Sequence, residues 1–135
     1  MSVIVTDNGF QADDLSAIFV TLGDAANDVA ALDVPSETSP KALEEFCSTA
    51  SVIRVDFPSF ADGRGFTIAR QLRRMGFTGR LRAHGHIIAD QYAMARRCGF
   101  DEVEISKDLA DRQLEQDWIF RAKWQKHDYQ ARLRG

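Results

Sequence analysis

Two loops in this sequence gather residue types that hold small anions. In Phe57-Pro58-Ser59-Phe60-Ala61-Asp62-Gly63-Arg64-Gly65, an aspartate, two glycines and an arginine stand where a strand should give way to a helix. The free N–H groups and the dipole of a helix N-terminus favour negative charge. In Arg82-Ala83-His84-Gly85-His86, an arginine and two histidines precede the next helix. Ligands of parallel α/β sheets collect outside the carboxyl ends of the strands, so Asp62, Gly63, Arg64, Gly65, Arg82 and His84 make a candidate oxyanion or phosphate site. The Gly-Arg-Gly turn lacks the spacing of dinucleotide and P-loop motifs. A purely structural reading stands beside it: Asp62 caps the helix, the glycines shape the turn, and Arg64 pairs with Asp62 or Asp90.

Other chemistries find less. His84 and His86 stand two apart, and with His127 they make three histidines. No HExxH, cysteine pair or carboxylate at ligand spacing joins them, and no metal site is expected. Cys98 falls at a helix C-terminus, where the dipole disfavours a thiolate, and Cys47 falls beside Phe46, so both thiols read as structural. Asp56, Asp62 and Asp90 each have an arginine within reach, which leaves Asp90 and His84 as the candidates for acid–base work. No flavin, nicotinamide, haem or iron–sulfur signature is present, and no cofactor is expected.

The elements that must position these residues announce themselves through a repeat. Arg73-Arg74-Met75-Gly76-Phe77 returns as Arg96-Arg97-Cys98-Gly99-Phe100. Each copy reads as a helix end: basic residues suit the negative pole of the dipole, glycine takes the left-handed position, and Phe folds back on the last turn. The folding partner is Leu72 in the first copy and Met94 or Ala95 in the second. Extended stretches at Ser51–Phe57, Arg80–His84 and Glu102–Ile105 surround these helices, and Val29–Val34 precedes a helix opened by Ser39 and Pro40. Strands separated by helices pair in parallel through right-handed crossovers.

The expected fold is therefore α/β, with repeating βα units in a small parallel sheet flanked by helices, as an open sheet or half of a barrel. Residues 1–135 form a single domain: N-terminal strands and loops over 1–28, βα repeats over 29–106, a helix over 107–127 and a tail over 128–135. Within the first segment, Val3–Thr6 and Ala17–Thr21 are strand candidates joined through Asp7-Asn8-Gly9 and the acidic Asp13-Asp14 turn. The last helix carries apolar residues on two sides, Leu114, Trp118 and Ala122 against Phe120 and Trp124. Either a second subunit covers one stripe, making a homodimer, or the helix is wedged between the sheet and the N-terminal segment. Within Ser51–Phe57, Arg54 and Asp56 share a face that Ile53 and Val55 do not, so this strand is not apolar on both sides.

Composition narrows the partners. The net charge is −3 with hydrophobic residues at 44%, values of an ordinary globular domain. The distribution is uneven: residues 1–61 carry two basic and ten acidic groups, residues 62–97 eight arginines and two aspartates, and residues 98–135 seven basic and eight acidic groups. The acidic total and the lack of any helix-turn-helix, RNP or zinc-finger pattern argue against nucleic acid. No apolar run approaches the roughly 18 residues of a membrane span. The first residues lack a basic start and an apolar run, so a cytoplasmic protein with reduced thiols is expected.

Val55-Asp56-Phe57-Pro58-Ser59-Phe60-Ala61-Asp62-Gly63-Arg64-Gly65-Phe66, Ala69-Arg70-Gln71-Leu72-Arg73, Gly79-Arg80-Leu81-Arg82-Ala83 and Arg96-Arg97-Cys98-Gly99-Phe100 resemble a bacterial family of unknown function. Its members are labelled oxidoreductases involved in sulfite reduction. The resemblance spans about residues 50–106 and returns at His127-Asp128-Tyr129-Gln130. At His84-Gly85-His86 the chain departs from the acidic residue that the family pattern leads one to expect. The resemblance implies a place beside sulfite reductase in sulfate assimilation. Two expectations follow from it. The first is an accessory protein that docks on a sulfite reductase component through the arginines Arg70, Arg73 and Arg74 or through the last helix. The second is a small oxidoreductase or oxyanion-binding enzyme that uses Arg64, Arg82 and His84.

Overall fold

The computed structural model describes residues 2–15, 18–25 and 29–122. Seven strands, β1 (Ser2–Thr6), β2 (Gly9–Gln11), β3 (Val20–Thr21), β4 (Ala31–Val34), β5 (Val52–Phe57), β6 (Arg80–Gly85) and β7 (Glu102–Ser106), form one open sheet in the order β2-β1-β7-β6-β5-β4-β3. From β3 to β7 all neighbours are parallel. β1 runs antiparallel beside β7 and turns back through Asp7-Asn8 into β2. The sheet stays open and does not close into a barrel.

Strands that succeed one another in sequence order, joined by crossovers of one hand, carry all their connections on one side of the sheet. The core shows this. Leu43 and Phe46 from the 3₁₀ segment Pro40–Phe46, Ile68 and Leu72 from α1 (Arg64–Arg74) and Tyr92 and Ala95 from α2 (Tyr92–Cys98) pack in one cluster with Leu32, Ile53, Val55, Phe57, Leu81, Ala83, Val103 and Ile105. Each such fully buried aliphatic side chain contributes about 1.5–3 kcal/mol. The other sheet face carries Asp33, Arg54, Asp56, Arg80, Arg82, His84, Glu102 and Glu104, whose alternation along the strands separates them from the apolar set.

Both copies of the helix-stop repeat use the same bonds. Gly76 and Gly99 sit at φ 97° and 113°, and the N–H of the following phenylalanine reaches back, Phe77 to the Leu72 carbonyl and Phe100 to the Ala95 carbonyl, both at 3.0 Å. The arginine four residues before each phenylalanine closes the loop: Arg73 Nη1 donates to the Phe77 carbonyl at 3.0 Å and Arg96 Nη1 to the Phe100 carbonyl at 2.6 Å. Arg73 is therefore a structural brace and not a free surface charge.

Three expectations change. The segment after Ser39 is 3₁₀ rather than α, and the Ser39 side chain makes no capping bond. The helix expected over 107–127 is broken into α3 (Lys107–Arg112) and α4 (Glu115–Arg121). Gln113 is extended there, at φ −118° and ψ 105°, and its side chain accepts the Ala89 N–H at 3.1 Å, a contact that a continuous helix would lose. The break turns Trp118 fully into the core against Tyr92, while Leu114, Ile119 and Phe120 stay exposed. Trp124, His127 and the tail over 128–135 lie outside the described residues.

Candidate functional site

At the carboxyl ends of β5, β6 and β7 the sheet opens into a cleft of about 770 Å³, walled by Asp56, Phe60, His84, His86, Asp108 and Arg112. Because β1 is antiparallel to β7, its first residue Ser2 lies opposite Ser106 and enters the same wall. A smaller hollow of about 210 Å³ lies toward β4 and shares Asp56 and His84 with the cleft. His84 thus stands at the centre of the edge. Its Nδ1 is 3.7 Å from Asp56 Oδ1 and its Nε2 is 3.3 Å from Glu104 Oε2. Gly85 ends the strand at φ +119°, and a Cβ there would meet the Phe57 carbonyl at 2.5 Å, so only glycine closes this floor. The turn takes His86 off the strand, and its ring meets Phe60 edge-on at 5.5 Å. The two histidines therefore do not share a strand face.

Behind His84 the charged sheet face forms a ladder locked by strand register. Arg54 sits between Asp33 and Arg82 in the pairing, and Arg82 pairs with Glu102. Arg54 forks onto Asp33 at 2.6 and 2.7 Å and reaches Glu104 at 3.1 Å. Arg82, fully buried, donates to Glu102 at 2.5 Å and to Glu104 at 2.8 Å. The loop between β2 and β3 lies over this ladder: Asp13 binds Arg82, Asp14 binds Arg80, and the Phe19 ring covers the Arg54 guanidinium at 4.0 Å. Asp33 bonding, with the Glu104 carboxylate, holds the Arg54 guanidinium protonated, raised above its ordinary value despite burial. Burial works against the Arg82 charge, yet Asp13, Glu102 and Glu104 raise its pKa on balance. Asp13 is the converse: burial pushes its carboxyl up, and the Arg82 bonds bring it below the usual range.

The sequence-derived anion site is dispersed. Arg64 leaves its helix to bind Asp62 at 2.7 and 2.9 Å and Ser36 at 3.0 Å, beside a separate hollow of about 250 Å³. Asp62 also accepts the Arg64 N–H at 3.1 Å, and these bonds hold its carboxyl well below the ordinary range. Gly63 takes the N-cap position of α1. Gly65 is buried where the Phe57 ring presses on the helix, so close that a Cβ would collide with it. Arg82 belongs to the ladder, His84 to the cleft, and Asp90 is exposed and paired with Arg121 at 2.6 Å. Among the described residues no group of three or more His, Cys, Asp or Glu side chains is placed to hold a metal. Burial pushes the Cys47 and Cys98 thiols up, away from the thiolate that nucleophilic chemistry needs.

The sequence gives no role to Asp33, Glu102 and Glu104 and reads Asp13-Asp14 only as a turn. A signal existed in the period-two charges of Arg80-Leu-Arg82 and Glu102-Val-Glu104. What turns them into one array is the pairing of Arg82 with Glu102, which alternation within each strand does not specify.

Fold and site together define an open α/β domain with helices on one sheet face, a charged ladder on the other and a polar cleft at its carboxyl edge. The chain belongs to a bacterial family of proteins of unknown function (DUF934), whose pattern it matches over residues 31–135. No curated protein and no solved structure matches it.

Proposed function

We infer that this chain is an accessory protein of sulfite reduction that docks on a sulfite reductase component and carries no reaction of its own. The resemblance described above supplies the biological setting. The observation that carries the docking is α4, a seven-residue helix that buries Trp118 and leaves Phe120 and, beside Gly9, part of Ile119 exposed, with Leu114 exposed at its N-cap. Three large apolar side chains on so short an element are more than a solvated helix needs. The arginines contribute less, since Arg73 is spent on the helix-stop brace, which leaves Arg70 and Arg74 exposed on that helix.

The test is affinity capture of the tagged protein from cells grown on sulfate. Recovery of sulfite reductase with the unmodified chain and its loss with Leu114→Glu/Phe120→Glu is expected. Capture of the bait alone, or recovery indifferent to the substitutions, contradicts the reading.

The cleft favours a second reading, a small-molecule site for an oxyanion centred on His84, in an enzyme or a binding protein. Sulfite or phosphate should then raise the melting temperature of the unmodified chain by mass action. His84→Ala should abolish that shift. No shift with either anion removes this reading.

A further inference from the structure

The charged ladder ends in an arrangement that the fold itself does not need. Arg80 and Arg82 project from the same face of β6, about 6.6 Å apart along the strand. Glu102 accepts Nε of both, at 2.8 and 2.5 Å, and so holds their guanidinium groups side by side. The terminal nitrogens are also taken in two parallel forks from the loop above the sheet, with Arg82 Nη1 shared with Glu104 at 2.8 Å and Arg80 Nη2 lying 2.6 Å from Glu102 Oε1. Arg82 Nη1 and Nη2 meet Asp13 Oδ2 and Oδ1 at 3.1 and 3.2 Å, and Arg80 Nη1 and Nη2 meet Asp14 Oδ2 and Oδ1 at 3.2 and 2.7 Å. Two consecutive aspartates thus sit on two arginines of matching spacing, each in the bidentate geometry that guanidinium groups reserve for carboxylates.

The aspartates are weakly committed. Asp13 and Asp14 are 36% and 65% exposed, whereas Arg82 beneath them is fully buried and Glu102 only 4% exposed. Ion pairs this exposed contribute little and are screened by salt. Nor does the ladder need their charge. Arg54, Arg80 and Arg82 are already matched by Asp33, Glu102 and Glu104 within the sheet. Asp13 and Asp14 add partners to Arg82 Nη2 and Arg80 Nη1, and share Arg82 Nη1 and Arg80 Nη2 with the sheet carboxylates. No apolar side chain of residues 12–14 is buried to anchor them.

We propose that the twin forks of Arg80 and Arg82 are a receptor for a di-acidic segment of a partner protein, and that Asp13-Asp14 is the chain's own occupant, displaced when the partner binds. The pairing of fork to carboxylate sets the partner's chemistry: two neighbouring Asp or Glu residues on an extended stretch. The inference is independent of the identity of the docking partner and of α4, and its test contains no reductase.

The probe is a fluorescein-labelled peptide matching residues 10–15, Phe-Gln-Ala-Asp-Asp-Leu, with a control in which Asn replaces both aspartates. Asp13→Asn/Asp14→Asn in the full chain opens the forks. This variant should bind the aspartate peptide at least about tenfold more tightly than the unmodified chain, because its competent state is no longer a minor one. Binding should weaken as salt rises and be lost when Arg80→Gln is added. A folded double variant that ignores the peptide, or binds both peptides alike, overturns the proposal. So does sulfate that competes, at equal ionic strength, as well as the peptide does, since the site would then belong to free oxyanions. If the double variant does not fold, hydrogen exchange on the unmodified chain decides. Excess aspartate peptide should speed exchange at the Leu15 amide, now bonded to Asp13 at 2.9 Å, and unchanged exchange sinks the idea.

Discussion

The two faces of this sheet are made by the same strands and held by different physics. Leu81 and Arg82 are adjacent residues of β6, both fully buried, and they point to opposite sides. Around Leu81 the neighbours are aliphatic and aromatic side chains from the crossover helices, and any residue of similar shape would serve. Around Arg82 the neighbours are Glu102, Glu104 and Asp13, and only a guanidinium satisfies all three. An apolar face tolerates substitution in proportion to lost volume. A charged face fails as a unit, because each group removed leaves others buried without a partner.

That contrast breaks most visibly at Arg82. Arg82→Leu should destabilise the protein by about 3–5 kcal/mol in urea unfolding, the loss typical of a buried pair broken from one side. Leu81→Ala should cost about 2–5 kcal/mol from the apolar side, with the difference that Leu81→Met should be nearly silent while Arg82→Lys should not. A smaller effect separates the two helix stops. Gly76→Ala meets nothing within 4 Å and pays only for its φ of +97°, whereas Gly99→Ala also brings its Cβ to 2.6 Å from Arg73 Cγ. The first should cost about 1–2 kcal/mol and the second more, read as the difference in their thermal midpoints.

The pH dependence sharpens the comparison further. Asp13, Asp14 and Asp62 have carboxyl groups held below their ordinary value by their arginines. Their stabilisation is present above the unfolded carboxyl pKa of about 3.9 and is lost as the pH falls below it. Tyr92 is the opposite case: burial, with the Asp7 carboxylate beside it, raises its hydroxyl above the ordinary value. Its contribution is lost as the pH rises above about 10, where the unfolded phenol ionises. Stability should therefore fall as the pH drops through the carboxyl range and fall again in alkali, where the buried Cys47 and Cys98 thiols add to Tyr92, and Tyr92→Phe should lessen the alkaline limb without moving the acid one. At the small end, Asp90→Asn removes an exposed pair with Arg121 and should change stability by less than about 1 kcal/mol.

The apolar face was legible in the sequence because local rules govern it. Alternation in Val52–Phe57 separated Ile53 and Val55 from Arg54 and Asp56, and the spacing of Gly76 and Gly99 from their phenylalanines located both helix ends. The charged face was not, because its partners lie far apart in the chain. Arg82 and Glu102 are 20 residues apart and Arg82 and Asp13 are 69 apart. A charge read in isolation shows no partner, so Arg82 reads from the sequence as a ligand contact and not as part of the ladder. Arg64 stands at its helix start as expected, but its guanidinium is held by Asp62, two residues away, as the structural reading of that loop expects, and does not converge with Arg82 and His84. The helix break at Gln113 also depended on a distant partner, the Ala89 N–H, and could not be read from residues 107–122 alone.

Arg82 and Glu102 stabilise the second face as one unit, and a double-mutant cycle measures their coupling. Arg82→Leu and Glu102→Leu are made singly and together, and the unfolding free energies compared. The double variant should be more stable than Arg82→Leu alone, with a coupling of about 2 kcal/mol or more between the sites. Additive losses, with the double variant the least stable of the three, would contradict it.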